Sequence, residues 1–288
     1  MTYDFVMIVF NGIPWIKFVL SEIYSHANKI IIVEGPVKRY MEFKGIKESN
    51  DGTLQFLDTI SDPDRKITVV HGSGFEDKLE QAQYYMKFVE ADYIWMVDAD
   101  EVCKTQDIPK IKKYIEDNKL EVSNIPEFRF WGDLEHYARG GSWNDCPARI
   151  FKHEQGDRWY SHRPPMIERT DGTIIKLKPI ESKAPEQLVE QGLYMYHYNY
   201  IGDLRIKDKA EYFVRLRPND PVYNKYLGWF ENVFLLWRRS DENVRKYLEK
   251  EFGLHPNGTG HTENFVGEHP DSVKKAIESG ELKDLSAF

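Results

Sequence analysis

Two apolar runs, Phe5 to Phe10 and Ile30 to Val33, constrain this fold more than any other feature, because every residue in each is hydrophobic. A strand of that kind must be covered on both faces, which is the habit of parallel sheets with helices packed on either side. Between the two runs lies the turn Asn11-Gly12-Ile13-Pro14. It is followed by Trp15 to His26, where Ile16, Val19, Leu20, Ile23 and Tyr24 recur at helical spacing. Strand, helix and strand with short links make a parallel unit with a right-handed crossover. The pattern repeats with a strand at Ile67 to Val70, a helix from about Phe75 to Val89 and an apolar strand from Tyr93. The expectation is an α/β chain built on a mostly parallel, Rossmann-like sheet flanked by helices.

The strand from Tyr93 to Val102 ends in Asp98-Ala99-Asp100-Glu101, three carboxylates within four residues. Like charges this close raise each other's pKa or share a positive partner. Mg2+ or Mn2+, held by one or two carboxylates and by a substrate's phosphates, is a common solution. The plainer alternative is a strand that ends in a solvated acidic turn. In open α/β sheets, ligands sit at the carboxyl ends of the strands, where these residues fall. The glycines at 72 and 74 lack the GxGxxG spacing, and so does the first strand-helix turn, which argues against a nicotinamide or flavin enzyme.

At 288 residues the chain buries a full core, and its formal charge of -8 argues against generic binding to nucleic-acid backbones. Cys103 and Cys146 are too few for a disulfide scaffold. No apolar run approaches the roughly 18 residues of a membrane span, and the first strand begins without a basic, then apolar, leader. A cytoplasmic protein is expected. Past Leu120 the pattern turns to strands at Glu127 to Trp131, Ala148 to Lys152, Thr173 to Lys178 and Leu193 to Ile201. Helices are expected from Asp208 to Arg217, from Tyr226 to Phe252 and from Asp271 to Ser279. In Tyr194-Met195-Tyr196-His197-Tyr198-Asn199-Tyr200, alternation puts the tyrosines on one face and His197 on the other. Imidazole is an acceptable ligand for Mn2+, although an isolated histidine is more often satisfied within a core.

Asn11 after the first strand, Glu34 at the end of the second and the Asp98-Ala99-Asp100-Glu101 edge resemble the GT-A-fold nucleotide-sugar glycosyltransferases of family 2. Arg149-Ile150-Phe151-Lys152, Trp159-Tyr160-Ser161-His162 and His197-Tyr198-Asn199-Tyr200 follow in the order of the branch with lipopolysaccharide-core and peptide S-glycosyltransferases. The resemblance runs from about residue 3 to about residue 215. Three departures from the family pattern stand out: Glu34 replaces an Asp, Lys78 and Gln81 stand where an Arg-Asn pair is usual, and a His-Glu pair reads His162-Arg163.

The resemblance implies a GT-A-type catalytic domain over residues 1–205 and a C-terminal helical extension over 206–288. It implies metal-dependent, inverting transfer of a sugar from a nucleoside-diphosphate donor to an acceptor that the sequence does not name: a glycan, lipid, protein or modified base. Asp100, Asp98 and His197 are the expected metal ligands for Mn2+ or Mg2+. Asn11, Glu34, Lys78, Asp98 and Asp100 are expected at the nucleotide. A metal on the diphosphate neutralises the charge that develops on the leaving group. The acceptor's proton needs a base, for which Asp133, Glu135 and Asp145 are the candidates, with Asp133 preferred because it lies just past a strand end. Trp131, Tyr137 and Trp143 in the same stretch suit either a sugar ring or the core. Two rivals use the same residues: a haloacid-dehalogenase-type phosphatase with Asp98 as nucleophile and Asp100 as acid/base, and a GT-A domain that binds nucleotide or glycan without turnover.

Overall fold

The computed structural model describes residues 1–178, 183–216, 219, 221 and 223–285. The chain forms two compact units, Met1–Glu127 with Cys146–Met195, and Phe128–Asp145 with Tyr196–Phe288. These units follow packing, whereas the boundary expected at 205/206 divides the chain by role.

The first unit has the mainly parallel, helix-flanked sheet expected of a GT-A-type fold. Its strands run in the order β3 (Ile67–His71), β2 (Lys29–Glu34), β1 (Tyr3–Val9), β4 (Tyr93–Met96), β9 (Ala148–Lys152), β6 (Val122–Asn124). The first four are parallel, with Val6 opposite Ile31 and Met96, while β9 runs antiparallel to β4 and β6 antiparallel to β9. The central strands are buried on both faces, as the apolar runs require: Val6, Ile30, Ile31, Ile32, Val33 and Ile94 are all inaccessible.

Helix α1 (Trp15–Ile23) ends in a 3-10 turn at Tyr24–His26, so the helical stretch has the expected extent. The helix before the acidic strand is shorter than expected. α4 spans Lys78–Met86, because the Asp77 side chain accepts the Glu80 N–H and caps it there. Short helices α2 (Lys38–Lys44) and α3 (Thr53–Thr59) were not foreseen, nor was α5 (Ile108–Asp117), which buries Ile108, Ile111 and Ile115. The expected single strand over 93–102 is two. β4 ends at Met96, a turn carries Asp98 and Asp100, and β5 (Glu101–Cys103) packs against α1. The hairpin of β10 (Arg158–His162) and β11 (Pro165–Glu168) continues antiparallel into β12, which covers only Ile174–Ile175 of the expected 173–178.

The second unit builds on strands in the order β14 (His261–Asn264), β8 (His136–Arg139), β7 (Glu127–Trp131), β13 (Met195–Tyr200). Its core is aromatic. Trp131, Trp143, Tyr200, Trp229, Phe234 and Trp237 are buried together, each contributing on the order of 1.5–3 kcal/mol of apolar burial. Helix α7 spans Asp203–Leu216; Arg217, its expected last residue, lies outside the described residues. The helix expected over 226–252 is interrupted. α8 (Tyr226–Trp229), a π-helical turn at Phe230–Leu235 and α9 (Leu236–Arg239) run on continuously, then Ser240 turns extended. A new helix α10 (Glu242–Phe252) starts there because the Asp241 carboxylate accepts the N–H groups of Asn243 and Val244. α11 covers Asp271–Ser279, as the spacing predicts. No helix among the described residues is long and apolar enough to cross a membrane.

Candidate active site at an acidic strand edge

At the carboxyl end of β4 the chain turns so that Asp98 and Asp100 bring carboxylate oxygens within 4.8 Å of each other. The turn is closed by Glu101. Its backbone N–H donates to the Asp98 carbonyl at 3.0 Å, and its side chain accepts the Asp98 N–H at 3.0 Å. Arg149, on neighbouring β9, fixes the other side. Its Nη2 hydrogen-bonds Glu101 and lies 3.4 Å from Asp98 Oδ2. Glu101 is fully buried and Arg149 nearly so, while the Asp98 side chain keeps 35% of its surface. Burial works against the guanidinium charge, but Glu101, Asp98 and Glu127 outweigh it and hold Arg149 firmly protonated. Of the three clustered acids, Glu101 is therefore committed to Arg149, which leaves Asp98 and Asp100 with carboxylate oxygens close together at the strand edge.

Lys78 and Arg163 bring positive charge to this edge, beside the His162 ring. Burial by the surrounding protein, then Arg163, lowers the Lys78 pKa, although solvent still reaches its side chain; Asp98 and Asp100 partly oppose the shift. His162 is pushed down to about 4 by burial and by Lys78, with Arg163 and Arg149 adding to it, and is therefore neutral at physiological pH.

Asn11 and Glu34 sit at adjacent strand ends, as expected, and the structure shows what their side chains hold. Asn11 adopts a left-handed backbone with φ of 53°; its carbonyl oxygen accepts the Asn50 N–H at 2.9 Å, and Ser49 Oγ accepts the Asn11 N–H. Glu34 is buried, accepts the Ser49 N–H at 2.8 Å and lies 3.4 Å from His71 Nδ1. Asp51 and Thr53 accept the N–H groups of Ile13 and Gly12. The segment 49–53 is thus laced onto the first strand-helix turn. Gly12 is required at that turn, since a Cβ there would meet Val9 Cγ2 at 2.6 Å and Ala99 at 3.3 Å.

The remaining candidates belong to the second unit. Asp133 Oδ1 accepts the Glu135 N–H and lies 2.7 Å from His136 Nδ1, while Oδ2 is 3.4 Å from Arg245 Nη1. Glu135 and Asp145 are exposed. Trp131 and Trp143 are core residues, Trp131 fully so. His197 is buried on β13, and the tyrosines of that strand pack as alternation requires: Tyr198 stacks on Phe130 at 4.8 Å and Tyr200 lies tilted against Trp131 at 4.9 Å.

Sequence reasoning did not give Glu101 its partner, nor Ser49, Asp51 and Thr53 their role. An Asp-Gly-Thr run before a short helix is a turn-and-cap signature, but its target 40 residues away leaves no local mark.

Residues 47–170, which include the acidic edge, match the family described as "Glycosyl transferase family 2". No curated protein matches the chain. Among solved structures, S. aureus TarS 1-349 in complex with UDP aligns over 88% of this chain and 80% of that one, at 11% identity and a TM-score of 0.42. The same protein in complex with UDP-GlcNAc aligns over 46% of this chain and 36% of that one, at 15% identity and a TM-score of 0.36. A mycobacterial protein aligns over 45% and 41%, at 14% identity and a TM-score of 0.31. The acidic edge of this chain lies within the stretch that matches the glycosyltransferase family 2 model.

Proposed function

We propose that the chain is a metal-dependent glycosyltransferase that moves a sugar from a nucleoside-diphosphate donor, with inversion, to an acceptor. The observation that carries this reading is the Asp98–Asp100 pair at the carboxyl edge of β4, braced by Arg149 through Glu101, inside the region that matches family 2. Asp98 and Asp100 offer hard oxygen donors, which suit Mg2+ or Mn2+ shared with phosphate oxygens. His197 is assigned as a further ligand, supported by its place opposite the tyrosine face. When bound, the metal would neutralise the leaving diphosphate.

The chain's own residues divide the other tasks. Lys78 faces the diphosphate, and the laced segment 49–53, held by Asn11 and Glu34, forms the floor for nucleoside. Asp133 takes the acceptor's proton, with Glu135 and Asp145 as substitutes; its three partners, the Glu135 N–H, His136 and Arg245, orient its carboxylate, as a base must be oriented before its pKa matters. Residues 1–205 carry this chemistry and 206–288 serve as an extension.

The test is incubation of the full chain with a panel of labelled nucleoside-diphosphate sugars and Mn2+ or Mg2+. Metal-dependent release of sugar from one donor is the expected result. Phosphate release from an aryl phosphate instead would favour the phosphatase rival, and tight donor binding without any turnover would favour the binding-only rival.

A further inference from the structure

The turn between β7 and β8 carries Asp133, and the second unit holds it from several directions. The Gly132 N–H donates to the Tyr200 carbonyl at 2.9 Å, the Phe265 N–H donates to the Glu135 carbonyl at 2.7 Å, and His269 Nε2 lies 3.0 Å from the Leu134 carbonyl. Where the turn enters β8, the His136 ring is fixed on two sides. Its Nδ1 lies 2.7 Å from Asp133 Oδ1, and the ring meets Trp237 edge-on at 5.3 Å and 84°. Trp237 is itself held, since its indole N–H donates to Glu249 at 2.7 Å and the Arg245 guanidinium lies over its ring at 4.1 Å.

These contacts decide the tautomer. An ionised carboxylate only accepts, so His136 Nδ1 carries the proton, and the neutral ring then keeps its lone pair on Nε2. Among the described residues Nε2 has no hydrogen-bond partner and is not sealed off by protein, and the side chain keeps 19% of its surface. The Asp133 oxygens are engaged instead: Oδ1 accepts from Glu135 and His136, and Oδ2 is 3.4 Å from Arg245. Of the two side chains, the imidazole is the one with an open lone pair.

We propose that Asp133 and His136 act as one base, in which His136 Nε2 receives the acceptor's proton while Asp133 orients the ring and stabilises the imidazolium that forms. The proposal rests on the transfer reading and replaces direct proton uptake by the Asp133 carboxylate with uptake through His136. As an acceptor oxygen bonds to the anomeric carbon, its proton passes to Nε2, the carbon–oxygen bond to the diphosphate breaks, and that electron pair leaves with the diphosphate. The ring then gives the proton to solvent. The charged neighbours suit this task. The hydrogen bond to Asp133 raises the His136 pKa against burial, Arg245 opposes the rise and Glu135 adds to it, and Glu242 at the start of α10 lies within reach of the ring's charge. A base works best with its pKa near the working pH.

The test compares the natural full chain with His136→Asn, using the nucleotide-sugar donor that the natural chain turns over. The asparagine amide nitrogen stands in for Nδ1 and still donates to Asp133, but nothing replaces Nε2. Transfer should fall about a hundred- to ten-thousand-fold while donor affinity holds. Transfer at the natural rate would overturn the proposal and return the proton to Asp133. A second readout needs no variant: kcat/KM for transfer should rise with pH through one ionisation above about 6.5, because the base works only when neutral, and its midpoint should match that of the His136 ring resonances followed by NMR. A midpoint in the carboxylate range near about 4, or one that differs from the ring's, also overturns the proposal. No transfer by the natural chain from any donor removes the transfer reading and the proposal together, whereas full transfer by His136→Asn removes the proposal alone.

Discussion

The two units each set an aspartate or glutamate against an arginine, and burial makes the two pairs different objects. In the first unit Glu101 is fully buried and its Arg149 partner nearly so. In the second, Asp133 and Arg245 keep 28% and 21% of their side-chain surface, at 3.4 Å, with Arg245 also lying over Trp237 at 4.1 Å. A buried pair must be kept whole, because removal of one partner strands a desolvated charge. A half-exposed pair is replaced largely by water and so serves better to orient a group than to hold a fold. The first arrangement suits a brace for a binding edge, the second a reactive carboxylate held ready.

Three experiments break or sharpen that contrast. If Asp133 is the oriented base, Asp133→Asn lowers sugar transfer about a hundred- to ten-thousand-fold while donor hydrolysis and donor affinity hold; full transfer by this variant would move the role to Glu135 or Asp145. Next in size, Arg149→Met should cost about 3–5 kcal/mol in denaturant unfolding, since Glu101 is left charged and buried, against about 1 kcal/mol for Arg245→Met. Equal losses would erase the distinction between the two pairs. The smallest effect is a pH dependence. The hydrogen bond that the His136 ring donates to the Asp133 carboxylate raises the His136 pKa, with burial opposing it. A raised folded-state pKa stabilises fully below the unfolded value of about 6.5, and that contribution is lost as pH rises through the folded value. Stability should therefore fall more steeply as pH rises above about 6.5 through the raised His136 value in the natural chain than in His136→Gln.

The parts legible in the sequence were those written in local pattern. β1, β2 and β3 announced themselves as apolar runs within a residue or two at each end, and α1 by its spacing, whereas β4 began at Tyr93 as expected but ended at Met96, six residues early. α5 was equally readable, with Ile108, Ile111 and Ile115 at helical intervals and Pro109 in its first turn. The break at Ser240 was also encoded, as Ser-Asp-Glu before an apolar-periodic stretch is a start signal inside what looked like one long helix. At the site, Asp98 and Asp100 stood out because acids rarely crowd the end of a buried strand. The commitment of Glu101 to Arg149, 48 positions away, had no such signal. Long-range pairing is fixed by strand order, which here places β9 beside β4, and a single sequence does not display it.

On the proposed function, Asp98 and Asp100 bind a nucleoside diphosphate through a divalent metal. Calorimetry with the preferred nucleoside diphosphate, in Mn2+ and in EDTA, tests it most directly. Mn2+ should tighten binding at least about tenfold in the natural chain, Asp100→Asn should abolish this gain, and His197→Ala should need roughly 10- to 100-fold more Mn2+ to reach it. Equal affinity in Mn2+ and EDTA for the natural chain would contradict the claim.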